Sequence, residues 1–142
     1  MLGILGMGGI GRVSIKPGRM YPGAGQGTDD LQEMAHRAKA FGMKIYYHNR
    51  SRLSPELEGD ATYVSFDDLL ANSDVLSLNL ALNASTRHII GANEFQKMKD
   101  GVVIVNTARG ALIDEKALVA ALDSGKVCFL FLSVSCLSSQ YI

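Results

Sequence analysis

The chain has little cysteine, no surplus of charge of either sign and no long apolar run, and each shortage excludes a class of function. Its two cysteines, Cys128 and Cys136, both lie near the C-terminal end. They give neither a metal-binding spacing nor a disulfide framework, which fits a reducing, cytoplasmic compartment. Lysine plus arginine number 14 and aspartate plus glutamate 14, so the formal net charge is zero. No basic block offers itself to nucleic acid or to an acidic membrane surface. No apolar run reaches the roughly 18–20 residues that cross a bilayer; the longest, VCFLFLSVSCL at residues 127–137, falls short. The apolar start, MLGILGMGGIG, lacks a charged leader and is broken by glycines, so it reads as a buried strand and turn rather than a signal peptide. What is present is 142 residues of soluble, globular composition, 47% hydrophobic and 20% charged, enough for a single domain over residues 1–142 with a real core.

Periodicity supplies the architecture. Leu2–Leu5 is a short apolar run ending in glycines, as in a buried parallel strand. EMAHRAKAFG puts Met34, Ala35, Ala38 and Phe41 on one helical face, with Gly42 placed to end the helix. MKIYYHN then reads as a strand, DDLLANS as a short helix capped by Ser65, and DVLSLNLAL, from Asp74, as a buried strand. NEFQKMKDG reads as a short helix ending at Gly101, and VVIVNTA, from Val102, as a β-branched strand. DEKALVAALDSGK is an amphipathic helix from Asp114 to Gly125. Strands alternating with short helices argue an α/β fold, a doubly wound parallel sheet of Rossmann type.

Gly6-Met7-Gly8-Gly9-Ile10-Gly11 matches the G-x-G-x-x-G dinucleotide turn and follows a strand directly, the context the motif requires. Gly6 permits the tight turn, Gly8 lets the backbone approach a pyrophosphate, and Gly11 lets helix and strand pack closely. An acidic residue about 20 positions on normally grips the ribose 2′-hydroxyl. Here the end of the second strand, at Asn49, lies 38 residues past Gly11. Removing residues 13–32 shortens that spacing to 18, so those residues read as a loop insert after the glycine turn. With two prolines and four glycines, the segment would cost about 10 kcal/mol if held helical, against a whole-domain stability of about 5–15. It must therefore loop out, at a closure cost of only about 3 kcal/mol. A helix can restart within TDDLQE, where Thr28 or Asp30 can cap.

The residues after the second strand are Asn49-Arg50-Ser51-Arg52, with no carboxylate to pair with a ribose 2′-hydroxyl or to repel a 2′-phosphate. Two guanidinium groups and a hydroxyl favour NADP(H) over NAD(H), by about ten- to a hundredfold if one charge-assisted hydrogen bond decides it.

Four segments together, LGILGMGGIGR, MAHRAKAFGMKIYYHNRSRL, DVLSLNLALNASTRHIIG and MKDGVVIVNTARGALIDEKALVAALDSGKV, resemble the D-isomer-specific 2-hydroxyacid dehydrogenases. The likeness is greatest to the glyoxylate/hydroxypyruvate reductase branch. It implies that Gly8, Gly9, Ile10 and Gly11 hold the pyrophosphate and that Asn49, Arg50 and Ser51 meet the adenosine ribose and its phosphate. Leu80, Ala81 and Leu82 would line the cofactor cleft, although the family often has proline where Ala81 stands. Thr107 and Ala108 would sit beside the nicotinamide ribose, and Arg109 would be the catalytic arginine that binds the substrate carboxylate. A planar guanidinium just past a buried strand also suits that task on chemical grounds. The resemblance further implies a catalytic glutamate and histidine beyond the point matching Val127. His36, His48 and His88 fall where the family has no catalytic histidine, so each reads as structural or exposed. The expectation is cofactor binding with little or no turnover. The alternatives are a binding-only or non-productive fragment, as a homodimer or paired with a full-length subunit, since the family dimerises through this domain.

Residues 13–32 could be a functional loop, a surface insertion or translated intron, and their ends favour the last. Val13-Ser14 permits GTGAGT, a splice-donor sequence, and Gln32 permits CAG, an acceptor end. The C-terminal segment 127–142 departs from the family pattern, also at a valine: Val127-Cys128 permits GTATGT. Residues 127–134 are nonetheless apolar enough to form a further strand.

Overall fold

A computed structural model describes residues 1–6 and 29–133. Among these, six parallel strands form one sheet: β1 (Leu2–Leu5), β2 (Ile45–His48), β3 (Thr62–Tyr63), β4 (Val75–Leu78), β5 (Val102–Asn106) and β6 (Val127–Leu132). Their order across the sheet is β3-β2-β1-β4-β5-β6. The chain winds outward from β1 to β3, then returns to β1's other side and winds outward again. The intervening helices are α1 (Asp29–Ala40), α2 (Pro55–Glu58), α3 (Phe66–Asn72), α4 (Ala92–Lys97) and α5 (Glu115–Asp123), with one turn of 3-10 helix at Gly110–Leu112. The Rossmann-like doubly wound architecture expected from the alternation is the one observed. Residues 7–28, most of the expected insert, lie outside the described residues, while α1 starts at Asp29, inside TDDLQE.

Two apolar clusters hold the layers together. On one side of the sheet, Leu5, Leu76, Leu78, Ile104 and Val127 pack with Leu69 and Leu70 of α3, Phe95 of α4 and Leu118 and Ala121 of α5. Each fully buried leucine contributes about 2 kcal/mol of apolar transfer. The second, smaller cluster joins Leu2, Ile4, Ile45 and Tyr47 to Ala35 and Ala38 of α1. Burial alternates along β5, with Val102, Ile104 and Asn106 buried and the two valines between them half-buried. Such alternation is the period-2 signature of a strand.

Local chemistry sets several boundaries. The Ser65 hydroxyl accepts from Asp68 N at 3.1 Å and the Asp114 carboxylate accepts from Ala117 N at 2.9 Å, capping α3 and α5 as their sequences predict. Three expectations are corrected. Phe41 is not on the core face of α1: the helix ends at Ala40 and Phe41 is 85% exposed, because Gly42 (φ +71°) turns the chain away. The fourth helix ends at Lys97 rather than Gly101, since Met98 leaves helical geometry to bury its side chain. The strand from Asp74 spans only Val75–Leu78, and Asn79 turns inward to bond Ser77. The apolar tail does add a strand, β6, paired with β5 through an irregularity at Val102/Val103.

Candidate functional site at the carboxyl edge of the sheet

The register lines up the strand ends. Leu5 pairs with His48 on one side and Leu78 on the other, and Leu78 pairs with Asn106. Gly6, Asn49, residues 79–82 and residues 107–109 therefore all leave the sheet along one edge. The winding reverses between β1 and β4, and that switch point is the usual ligand position in open parallel sheets.

Gly6 shows why glycine is needed there. Its φ is +91°, and a Cβ would fall 2.8 Å from Leu80 Cδ2 and 3.0 Å from the Asn79 carbonyl. Its N–H donates to His48 O at 3.0 Å while Asn79 N donates to Leu5 O at 2.9 Å, so the strand ends are stitched together at the turn. Leu80 is half-buried, and Ala81 and Leu82 are exposed, an apolar rim beside that turn. Gly8, Gly9, Ile10 and Gly11 lie outside the described residues.

On β1's other side, Tyr63 Oη donates to Asn49 O at 3.1 Å and fixes the start of the loop after β2. Arg50 and Ser51 follow, both exposed and neither bonded to any described residue. Arg52 differs: its Nε donates to both Glu58 carboxylate oxygens (3.1 and 3.2 Å) and its Nη2 to Oε2 at 2.9 Å. Of the two guanidinium groups expected to face a phosphate, one is already committed. The Arg52 hydrogen bonds hold the Glu58 carboxyl below its ordinary range, burial of Glu58 opposing them, and Glu58 in turn raises the Arg52 guanidinium.

After β5, Thr107 and Arg109 are exposed and Ala108 is buried. Asn106 braces this loop, a role the sequence reading missed. Fully buried, its side chain accepts from Ala108 N at 3.0 Å and donates to Arg109 O at 2.9 Å. The available signal was a lone amide ending a β-branched strand. Arg109 spends one guanidinium N–H on Ala108 O (2.8 Å) and forms no ion pair among the described residues. The remaining donors suit a planar carboxylate.

The histidines bear on proton transfer. His48 has Nδ1 2.9 Å from Val64 O and stacks on Tyr63, so it is structural. His36 is exposed on α1. His88 Nδ1 lies 3.7 Å from Asp114 Oδ2, too far for a direct hydrogen bond. Among the described residues no group of three or more His, Cys, Asp or Glu could hold a metal ion, and no helix is long and apolar enough to cross a membrane.

A family model, the NAD binding domain of the D-isomer specific 2-hydroxyacid dehydrogenases, matches residues 31–135. The chain belongs to this family. It is 78% identical over 127 residues to a 4-methyl-2-oxopentanoate reductase A of Aspergillus oryzae, covering 89% of this chain and 32% of that protein. It is 45% identical to a glyoxylate reductase 1 of Saccharomyces cerevisiae, covering 89% and 31%. Among solved structures, a glyoxylate reductase from Paecilomyes thermophila is 63% identical, with a TM-score of 0.75 over 92% of this chain and 34% of that one. An NAD-complexed D-isomer specific 2-hydroxyacid dehydrogenase of Lactobacillus delbrueckii superposes with a TM-score of 0.74 at 28% identity, covering 93% and 35%. The chain thus spans about a third of the length of the curated relatives it matches.

Proposed function

We propose that this chain is the dinucleotide-binding part of an oxidoreductase acting on the CH–OH group of small 2-hydroxy acids, that it favours NADP(H) over NAD(H), and that by itself it binds cofactor without turnover. Arg50 carries the cofactor preference. It is exposed and uncommitted at the carboxyl end of β2, flanked by Asn49 and Ser51, and residues 49–54 contain no carboxylate.

The residues present fit the cofactor. Gly6 opens the turn, Gly8, Gly9, Ile10 and Gly11 hold the pyrophosphate, Leu80, Ala81 and Leu82 wall the cleft, and Thr107 and Ala108 meet the nicotinamide ribose. When bound, the nicotinamide supplies or accepts the hydride. Arg109 binds the substrate carboxylate and polarises the neighbouring carbonyl. The relatives' names run from glyoxylate and hydroxypyruvate to 4-methyl-2-oxopentanoate, and their shared chemistry is reduction of an oxo group beside a carboxylate. We retain glyoxylate and hydroxypyruvate as the first substrates to test, in the cytoplasm.

Ketone reduction also needs a proton donor. A guanidinium holds its protons too tightly for that role; the His48 ring is taken up by Val64 O and Tyr63, His36 is exposed on α1, and the His88 ring stands beside Asp114. A binding-only chain that docks on a full-length subunit is a second reading, favoured by the exposed Phe129 and Phe131 on β6. We also read residues 13–32 as translated intron; a genomic sequence lacking donor or acceptor signals at those ends would remove that reading.

Titrating the purified chain with NADPH and NADH by fluorescence, then assaying glyoxylate, hydroxypyruvate and 4-methyl-2-oxopentanoate, tests the rest. The expected result is NADPH binding about ten- to a hundredfold tighter than NADH, with no turnover of any acid. Equal affinities would overturn the cofactor assignment, and turnover would overturn the claim of an incomplete site.

A further inference from the structure

The loop between β2 and α2 is pinned at both ends and free in the middle. Asn49 is tied through its carbonyl to Tyr63 Oη. Leu53 N donates to Tyr47 Oη at 3.1 Å, and Tyr47 Oη donates to Glu58 Oε1 at 3.1 Å. Arg52 closes the group by gripping Glu58 with Nε and Nη2. The base of this arrangement is rigid. Tyr47 is fully buried in the smaller core, edge-on to Tyr63 at 5.3 Å between ring centres, and Glu58 is only 8% exposed. Between the two pinned ends, only Arg50 and Ser51 have no partner among the described residues.

We propose that Tyr47, Glu58 and Arg52 form a clamp that presents Arg50 and Ser51 to the 2′ substituent of the cofactor's ribose, with Arg52 withheld from the ligand as a positioning residue. This inference rests on the NADP(H) reading above. It divides two neighbouring arginines of like charge into different tasks, which sequence alone cannot do. Arg50 supplies the charge that distinguishes the phosphate. Arg52 fixes where that charge stands, through a carboxylate too buried to follow a moving loop.

The two possible roles of Arg52 predict opposite signs for one substitution. Glu58→Gln weakens the grip on Arg52. If Arg52 only clamps, the loop loosens and the ratio of NADH to NADPH dissociation constants falls about threefold or more, the size of an ordinary coupling between contacting residues. If Arg52 is a phosphate ligand held in reserve, the same change frees it and the ratio rises.

The experiment measures dissociation constants of both cofactors for the intact chain and for Arg50→Ala, Arg52→Met, Glu58→Gln and Tyr47→Phe, with melting curves to confirm folding. Arg50→Ala is expected to lose about ten- to a hundredfold in NADPH affinity with NADH unchanged. Arg52→Met and Glu58→Gln should each lower the preference severalfold, yet change it no further once Arg50 is alanine. Tyr47→Phe removes one hydroxyl at nearly constant volume and should act in the same direction if Glu58→Gln fails to fold. An Arg52→Met effect that adds in full to Arg50→Ala, or a preference that rises in Glu58→Gln, overturns the clamp and leaves the cofactor reading standing. An intact chain with no preference for NADPH overturns both.

Discussion

At the scale of single residues, close approach decides more than polarity does. Gly3 sits mid-strand in β1 with ordinary backbone geometry, yet a Cβ there would lie 1.9 Å from Ser73 Oγ and 3.2 Å from Leu69 Cδ1. Ser73 cannot yield easily: it is fully buried and its hydroxyl donates to Leu69 O at 2.6 Å. Gly3→Ala should therefore cost about 1–3 kcal/mol, as overpacking does, read as a lower urea midpoint with an unchanged slope. Gly6 was legible in the sequence because its motif names its task. Gly3 was not, because its constraint comes from Leu69 and Ser73, at the end of a helix far along the chain. Asn106 escaped for a different reason, since its partners, Ala108 N and Arg109 O, are near in the chain. Its partners are backbone groups of a loop whose path only the fold defines.

At the scale of elements, those with their own punctuation were readable and those held by tertiary partners were not. Ser65 and Asp114 announce α3 and α5. α2 has four residues, too few to persist alone, and it exists because Glu58 is bonded to Arg52 and Tyr47. That dependence has a pH signature. The Arg52 hydrogen bonds lower the folded-state pKa of Glu58 relative to an unfolded glutamate. The resulting stability is fully present above the unfolded value, about 4.3, and is lost as pH falls through the folded value. Lys39 lowers Asp60, and Lys99 lowers Asp74, so these carboxylates share the acid window with Glu58. Stability measured by chemical denaturation should be flat near neutrality and fall below about pH 4.3. Glu58→Gln should make that fall shallower without removing it; an unaltered acid limb would show that Glu58 contributes nothing to it.

At the scale of the whole molecule, the sheet order leaves two unequal halves meeting at β1. The larger cluster takes Leu5 from β1 and a half-buried Tyr46 from β2, and otherwise draws on residues from Val64 onward; the smaller takes Leu2 and Ile4 and relies on α1 for its cover. These halves need not open together. Regions with few buried contacts open at lower free energy than the best-packed core. In native-state hydrogen exchange, amides of β4 and β5 should be the last to exchange and those of β2 and β3 should go early, at a cost well short of global unfolding. Uniform protection across the sheet would contradict this. The proposed cofactor reaches from Arg50 in one half to Thr107 and Ala108 in the other. A ligand that spans a weak seam stabilises the weaker side most, because that side opens without it. Slowed exchange in β3, an edge strand that meets the proposed site only through Tyr63 and its bond to Asn49 O, would then register occupancy from outside the cleft.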